Sequence, residues 1–229
     1  MTQRRKRRLG WIAAALALIL LVAAVGVGWF LGSNGREGEA PTASQGASAA
    51  SGGGSGSSED STSRCGLPEG DQAVPAEGPE AEWQILMSHT VPSSEKYGPG
   101  ETKGGDRACF AHNPTGALFA LLNTGRVLPN EHKIKHVTDG PLRDSLVGAE
   151  EETPDPNSRT TVRGFKLDVV SKDEVVVRPV YSTDGGELYE VGMRMVWSEG
   201  DWKIDGTQDA ASTPDPVDSL EGYVTWGPE

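Results

Sequence analysis

The chain has 229 residues, with 21 basic against 33 acidic side chains, 30 glycines, 15 prolines and two cysteines. A formal charge of −12 argues against a nucleic-acid binder, whose phosphate contacts need a basic surface. Two cysteines are too few for a disulfide-built miniprotein or a four-cysteine zinc site, and the length allows one ordinary domain with accessories or two very small ones.

The charge is unevenly spread. Residues 1–8 carry Arg4, Arg5, Lys6, Arg7 and Arg8 and no acid. From Leu9 to Leu31 follow 23 residues without a charge, which as a helix would extend about 35 Å, enough to cross a bilayer with some tilt. Trp11 stands near one end and Trp29 with Phe30 near the other, where amphipathic rings favour the headgroup boundary. The basic collar places the amino terminus in the cytoplasm and everything after Leu31 outside. A cleaved signal peptide is the alternative; the long apolar core and the lack of an A-x-A site count against it.

Residues 32–64 are mostly Gly, Ser and Ala and have little to bury, so they read as a disordered linker with a root-mean-square reach of about 30 Å. The remaining residues, 65–229, hold 14 basic against 29 acidic side chains and regain the aromatic residues of a core. They read as one extracytoplasmic α+β domain, helices packed on a curved antiparallel sheet in a cone-like arrangement. Cys65 and Cys109 both fall on the oxidising side of the membrane and are expected to form a disulfide.

Within the domain, Ala81–Thr90 reads as a strand anchored by Trp83 and Ile85–Met87, and the Pro, Ser and Gly clusters of 92–100 read as a long loop. Asn113-Pro114 is a helix start, with Asn113 as N-cap, Gly125 as the stop, and Leu118, Leu121 and Leu122 on a sheet-facing stripe. Weaker helical stretches follow at Glu131–Val137 and Pro141–Ala149. Four strands complete the domain. Val162–Val170 points Phe165, Leu167 and Val169 one way, and Val175–Tyr181 contains Pro179, which suggests an edge or a bulge. Tyr189, Val191, Met193, Met195 and Trp197 alternate on one face, and a turn at Ser198–Asp201 leads to Trp202–Asp205.

Trp83, Pro92-Ser93-Ser94, Gly98-Pro99, Phe110–Ala117, Val196–Asp205, Tyr223 and Trp226-Gly227 together resemble uncharacterised membrane-anchored proteins of actinobacteria, several of them associated with integrative and conjugative elements. The architecture is similar to the nuclear-transport-factor-like domains of TcpC-type conjugation proteins and Mce-associated membrane proteins. These resemblances imply an extracytoplasmic scaffold and assign no chemistry.

The residues themselves offer few candidates for chemistry. His132 and His136 stand four apart, and Asp139 could complete a zinc set, but two lysines crowd the site and a solvated helix is the simpler reading. His112, before the helix cap, could be a base if it faced a cavity. There is no G-x-S-x-G elbow and no cysteine nucleophile with plausible partners; the glycine-rich run 98–105 lacks the G-K-[ST] ending of a phosphate loop. No catalytic residue, cofactor or metal ligand is therefore assigned, and the expectation is a non-enzyme. Trp83, Tyr189, Trp197 and Trp202 are core aromatics or the lining of a ligand cavity.

The expected function is a single-pass, membrane-anchored scaffold or assembly protein of the cell envelope, in a conjugation- or secretion-type apparatus. Its partners would be the lipid bilayer, other envelope proteins and further copies of itself, with no nucleic acid. The alternative is an extracytoplasmic cone-fold domain that binds or converts a small molecule.

Overall fold

The computed structural model describes residues 63–125, 127–150, 159–208 and 213–229. The basic segment, the uncharged run 9–31 and the linker up to residue 62 lie outside the described residues. Among the described residues no helix is long and apolar enough to cross a membrane.

Antiparallel strands and a few helices build an α+β fold. A two-stranded hairpin comes first, β1 (Glu82–Leu86) with β2 (His89–Ser93). Next come helices α1 (Pro114–Thr124), α2 (Asn130–Lys133), a single 3-10 turn at Ile134–His136, and α3 (Pro141–Leu146). The main sheet follows: β3 (Thr161–Ser171), β4 (Glu174–Ser182), β5 (Leu188–Glu190), β6 (Met193–Ser198), β7 (Asp201–Ile204), β8 (Asp215–Val217) and β9 (Val224–Thr225). Its central order is β7-β6-β4-β3-β9, with β5 also beside β4 and β8 beyond β5.

The stretch Ala81–Thr90, expected as one strand, is instead the hairpin. Its chain reverses at Met87 and Ser88, both at positive φ (46° and 71°), the backbone of a two-residue primed turn. Such turns normally carry Asn-Gly or Asp-Gly, so Met-Ser gives no turn signal. The nine-residue alternation from Tyr189 to Trp197 is also interrupted. Val180 pairs with Glu190 and Val177 with Met193, so β5 and β6 keep one register along β4. Between them Pro179 has no N–H to donate and only accepts, from Val191 N–H at 3.3 Å. Pro179 therefore interrupts the ladder from inside the sheet: β4 is paired on both sides and is not an edge strand.

β3 shifts register between Val162 and Gly164 and again between Val169 and Ser171. Each shift adds a residue to β3 and changes which side chains share a face. Phe165 and Leu167 are buried as expected, whereas Val169 and Val170 at the hairpin tip are 42% and 60% exposed.

Helix α1 starts where the residues place it: Asn113 Oδ1 accepts from Gly116 N–H at 2.7 Å, and Pro114 fills the first turn. All its residues are buried, not only the leucine stripe, because its other positions are small or are satisfied polar groups. Thr124 Oγ1 donates to Ala120 O, and Asn123 donates to Phe119 O and Pro92 O while accepting from Arg107 Nε at 2.6 Å. Burial pushes the Arg107 guanidinium below its ordinary range. The main core gathers Phe110, Phe119, Phe165, Met195, Trp202 and Trp226 between α1 and the sheet. A smaller cluster, Val91 with Val127, Leu128 and Leu86, holds one face of the hairpin.

Candidate functional site

Cys65 and Cys109, 44 positions apart in the chain, form a disulfide with Cα atoms 6.1 Å apart. The packed structure reaches back before Cys65, since Arg64 N–H donates to Gly200 O at 2.9 Å and Ser63 is 4% exposed. Beside the disulfide, the buried carboxylate of Asp201 accepts the backbone N–H groups of Cys109 (2.7 Å), Phe110 (2.9 Å) and its neighbour Trp202 (3.0 Å). Burial pushes Asp201 above the usual carboxylate range, against the pull of those donors and of Arg64.

The four singled-out aromatics do not converge on one cavity. Trp202 is fully buried and donates Nε1–H to Ala111 O at 2.9 Å. Trp197 packs edge-on against Trp202 and stacks on His112, with centroids 3.9 Å apart and planes 12° from parallel. Tyr189 stacks on Tyr181 in the β4–β5 pair. Trp83 packs against Trp226 at 4.8 Å.

The three histidines singled out in the sequence, His112, His132 and His136, face carboxylates. His112, 1% exposed, sets Nε2 2.8 Å from Asp173 Oδ1 and Nδ1 3.7 Å from Glu69 Oε1. The ring is covered by Trp197 and enclosed between these acids. His132 and His136 do share a side, but they meet Asp106 (3.5 and 3.1 Å) and not Asp139, which pairs with Arg143. Lys135 Nζ joins them at 3.1 Å from Asp106. Burial alone would raise Asp106, yet the hydrogen bonds from His136 and Lys135 outweigh it and hold the carboxyl below its usual range. Among the described residues no group of His, Cys, Asp and Glu could hold a metal ion.

A groove of about 400 Å³ lies where the hairpin meets the start of β3. Local register builds it. The chain changes neighbours here: Thr160, just before β3, is bridged in parallel to His89, whereas Gly164 and Phe165 of β3 pair with β9. Arg159, Thr161 and Arg163 line one wall, and Pro228 with Glu229 lines another. The hairpin contributes Trp83, Gln84, Ile85 and Thr90. Ile85 is paired with Thr90 across the hairpin, and Thr160, flanked by Arg159 and Thr161, is bridged to β2, so the lining lies across one face of these strands, with β2 between β1 and the arginines.

Charge sets the groove apart from its surroundings. Arg64, Arg143, Arg178 and Arg194 each pair with carboxylates, and buried Arg107 bonds Asn123. Arg159 and Arg163 are exposed, and neither side chain has an ion pair among the described residues. Ile85, 55% exposed, adds apolar surface between Trp83 and the turn.

Of the lining, Trp83 and Ile85 carried a signal in the sequence, as apolar anchors of the expected strand. The family whose model describes a domain of unknown function, DUF8175, matches residues 45–225, and the chain belongs to that family. No curated protein and no solved structure matches the chain.

Proposed function

We propose that this member of the DUF8175 family is a membrane-anchored extracytoplasmic scaffold or assembly protein of the cell envelope. Its folded head binds a partner protein and performs no reaction of its own. The observation that carries the reading is the Cys65–Cys109 disulfide at the start of the described fold. Such bonds persist in oxidising compartments and are rare in the cytosol. The uncharged run 9–31 behind its basic collar supplies the anchor, and the Gly/Ser-rich stretch supplies the reach. The finer architecture belongs to the proposal too: one transmembrane helix, amino terminus inside, and a cone-like wrap of helices on a curved sheet. The resemblance to conjugative-element proteins makes a conjugation- or secretion-type apparatus the context.

The test is photo-crosslinking in intact membranes from a reactive residue at Ile85, the most exposed apolar side chain of the groove wall. The expected product is a discrete adduct with another envelope protein. Adducts with cytosolic proteins alone, or none at all, would contradict the reading.

A further inference from the structure

We infer that two copies of this chain pair through the outer edge of β1, antiparallel about a twofold axis at Gln84, so that their hairpins join into one continuous sheet; this names a partner for the scaffold proposed above and rests on that reading. Register decides what the edge offers. Thr90 N–H donates to Thr160 O at 3.1 Å and Pro92 O accepts from Asn123 Nδ2 at 2.9 Å, both on the side of β2 away from β1. Opposed residues of an antiparallel pair turn their main-chain groups either toward each other or both away. Ile85, paired with Thr90, and Trp83, paired with Pro92, therefore point their N–H and C=O groups to the outer edge of β1. Among the described residues β1 pairs only with β2, and no backbone hydrogen bond reaches Trp83 or Ile85 on that outer side.

The edge is complementary to itself. Ala81, Trp83, Ile85 and Met87 alternate along it, and Ile85 and Met87 are 55% and 48% exposed. With the axis at Gln84, Trp83 meets the partner's Ile85 and Ile85 meets the partner's Trp83, two pairs that each exchange two main-chain hydrogen bonds. Met87, at the turn, comes beside the partner's Ala81, so one face of the joint carries only apolar neighbours. Edge strands are normally guarded by a lysine, a proline or a bulge, and Glu82–Leu86 contains none of these. An unrelated strand satisfies the same groups only if it brings a matching apolar alternation, which a second copy supplies in register.

Charge permits the pairing. Glu82 is the one charged residue of β1, and it meets the partner's Leu86. The two Glu82 positions then lie about 14 Å apart along the strands, beyond the screening length of about 8 Å at physiological salt. The net negative charge of residues 65–229 opposes association at long range. Confinement of both anchors to one membrane acts the other way, because it raises the effective concentration of each copy for the other.

The experiment uses the full chain reconstituted in phosphatidylcholine vesicles, with single cysteine substitutions and the Cys65–Cys109 disulfide left oxidised. Opposed residues of a non-hydrogen-bonded antiparallel pair have Cα atoms about 4.5 Å apart, within reach of a disulfide. Gln84→Cys should therefore form a covalent dimer on mild oxidation, read on non-reducing gels. It should do so at least ten times faster than Glu82→Cys, and at least ten times faster than Val147→Cys, an exposed position that follows α3. Adding Ile85→Lys to Gln84→Cys puts a charge on the edge and should slow the dimer at least tenfold. Ile85 is exposed, so that variant should keep the near-ultraviolet circular dichroism of the parent.

The assignment is overturned if Gln84→Cys dimerises no faster than Val147→Cys, if Glu82→Cys matches it, or if Ile85→Lys leaves the rate unchanged. A photoprobe at Ile85 in intact membranes that captures a different protein and no second copy also overturns it, and gives the edge to that protein. The vesicles hold only this chain, so a failed dimer there removes this pairing and leaves the scaffold reading to its own crosslinking test.

Discussion

At the scale of single residues, the polar groups of the head are committed inward, which separates structural chemistry from binding chemistry. Asp201 fastens the disulfide loop by accepting from Cys109, Phe110 and Trp202. Replacing it with Asn leaves one of those buried N–H groups facing a second donor. Asp201→Asn should cost about 2 kcal/mol, read from urea unfolding, although the replacement is neutral and nearly isosteric. Asp106 behaves differently. It is held below its usual range by His136 and Lys135, with His132 also facing it, so its contribution is present above about pH 4 and is lost as pH falls through the lowered value. Hydrogen-exchange protection around Asp106, corrected for the intrinsic pH dependence of exchange, should fall on acidification, and Asp106→Asn should show the lowered protection already at neutral pH. Unchanged protection in that variant would show that the carboxylate does not hold the loop to residues 132–136.

At the scale of elements, the parts legible in the residues were those whose local chemistry and burial agree. Asn113-Pro114 marks the start of α1 because an N-cap acceptor and a first-turn proline act within a few residues of chain. The main-sheet strands could be read because valine, methionine and aromatic side chains alternate along them. The groove could not be read in this way, because it depends on devices without a residue signature. One is a positive-φ turn at Met87-Ser88 in place of Asn-Gly, another a bulge beside Arg163, and a third the chain's change of neighbours from β2 to β9 as it enters β3. Pro179 was legible as an irregularity but not as an interior one, since pairing on both sides is a property of the whole sheet. Gly116 gives a test at this scale. A Cβ there would lie 1.9 Å from Ala111 O, so the Phe110–Ala117 turn closes only around glycine. Gly116→Ala should therefore lower stability by more than the Asn113→Ala cap deletion, which is expected to cost about 1 kcal/mol in thermal unfolding. Equal losses would mean that the turn can widen.

At the scale of the whole molecule, the net charge of −12 is an average over parts with different tasks. In the reading proposed here a basic collar orients the chain, a neutral tether separates, and an acidic head meets the partner. The disulfide bears on both stability and location. Closing its loop should stabilise the head by about 4 kcal/mol on the chain-entropy estimate. The most direct measurement of the central claim is labelling of intact cells with a membrane-impermeant maleimide, with and without an impermeant reductant. An anchored extracytoplasmic head predicts that Cys65 and Cys109 remain unlabelled until reductant is added and then react without lysis, in protein that stays with the membrane fraction. Labelling that requires lysis, or that proceeds without reductant, would contradict it.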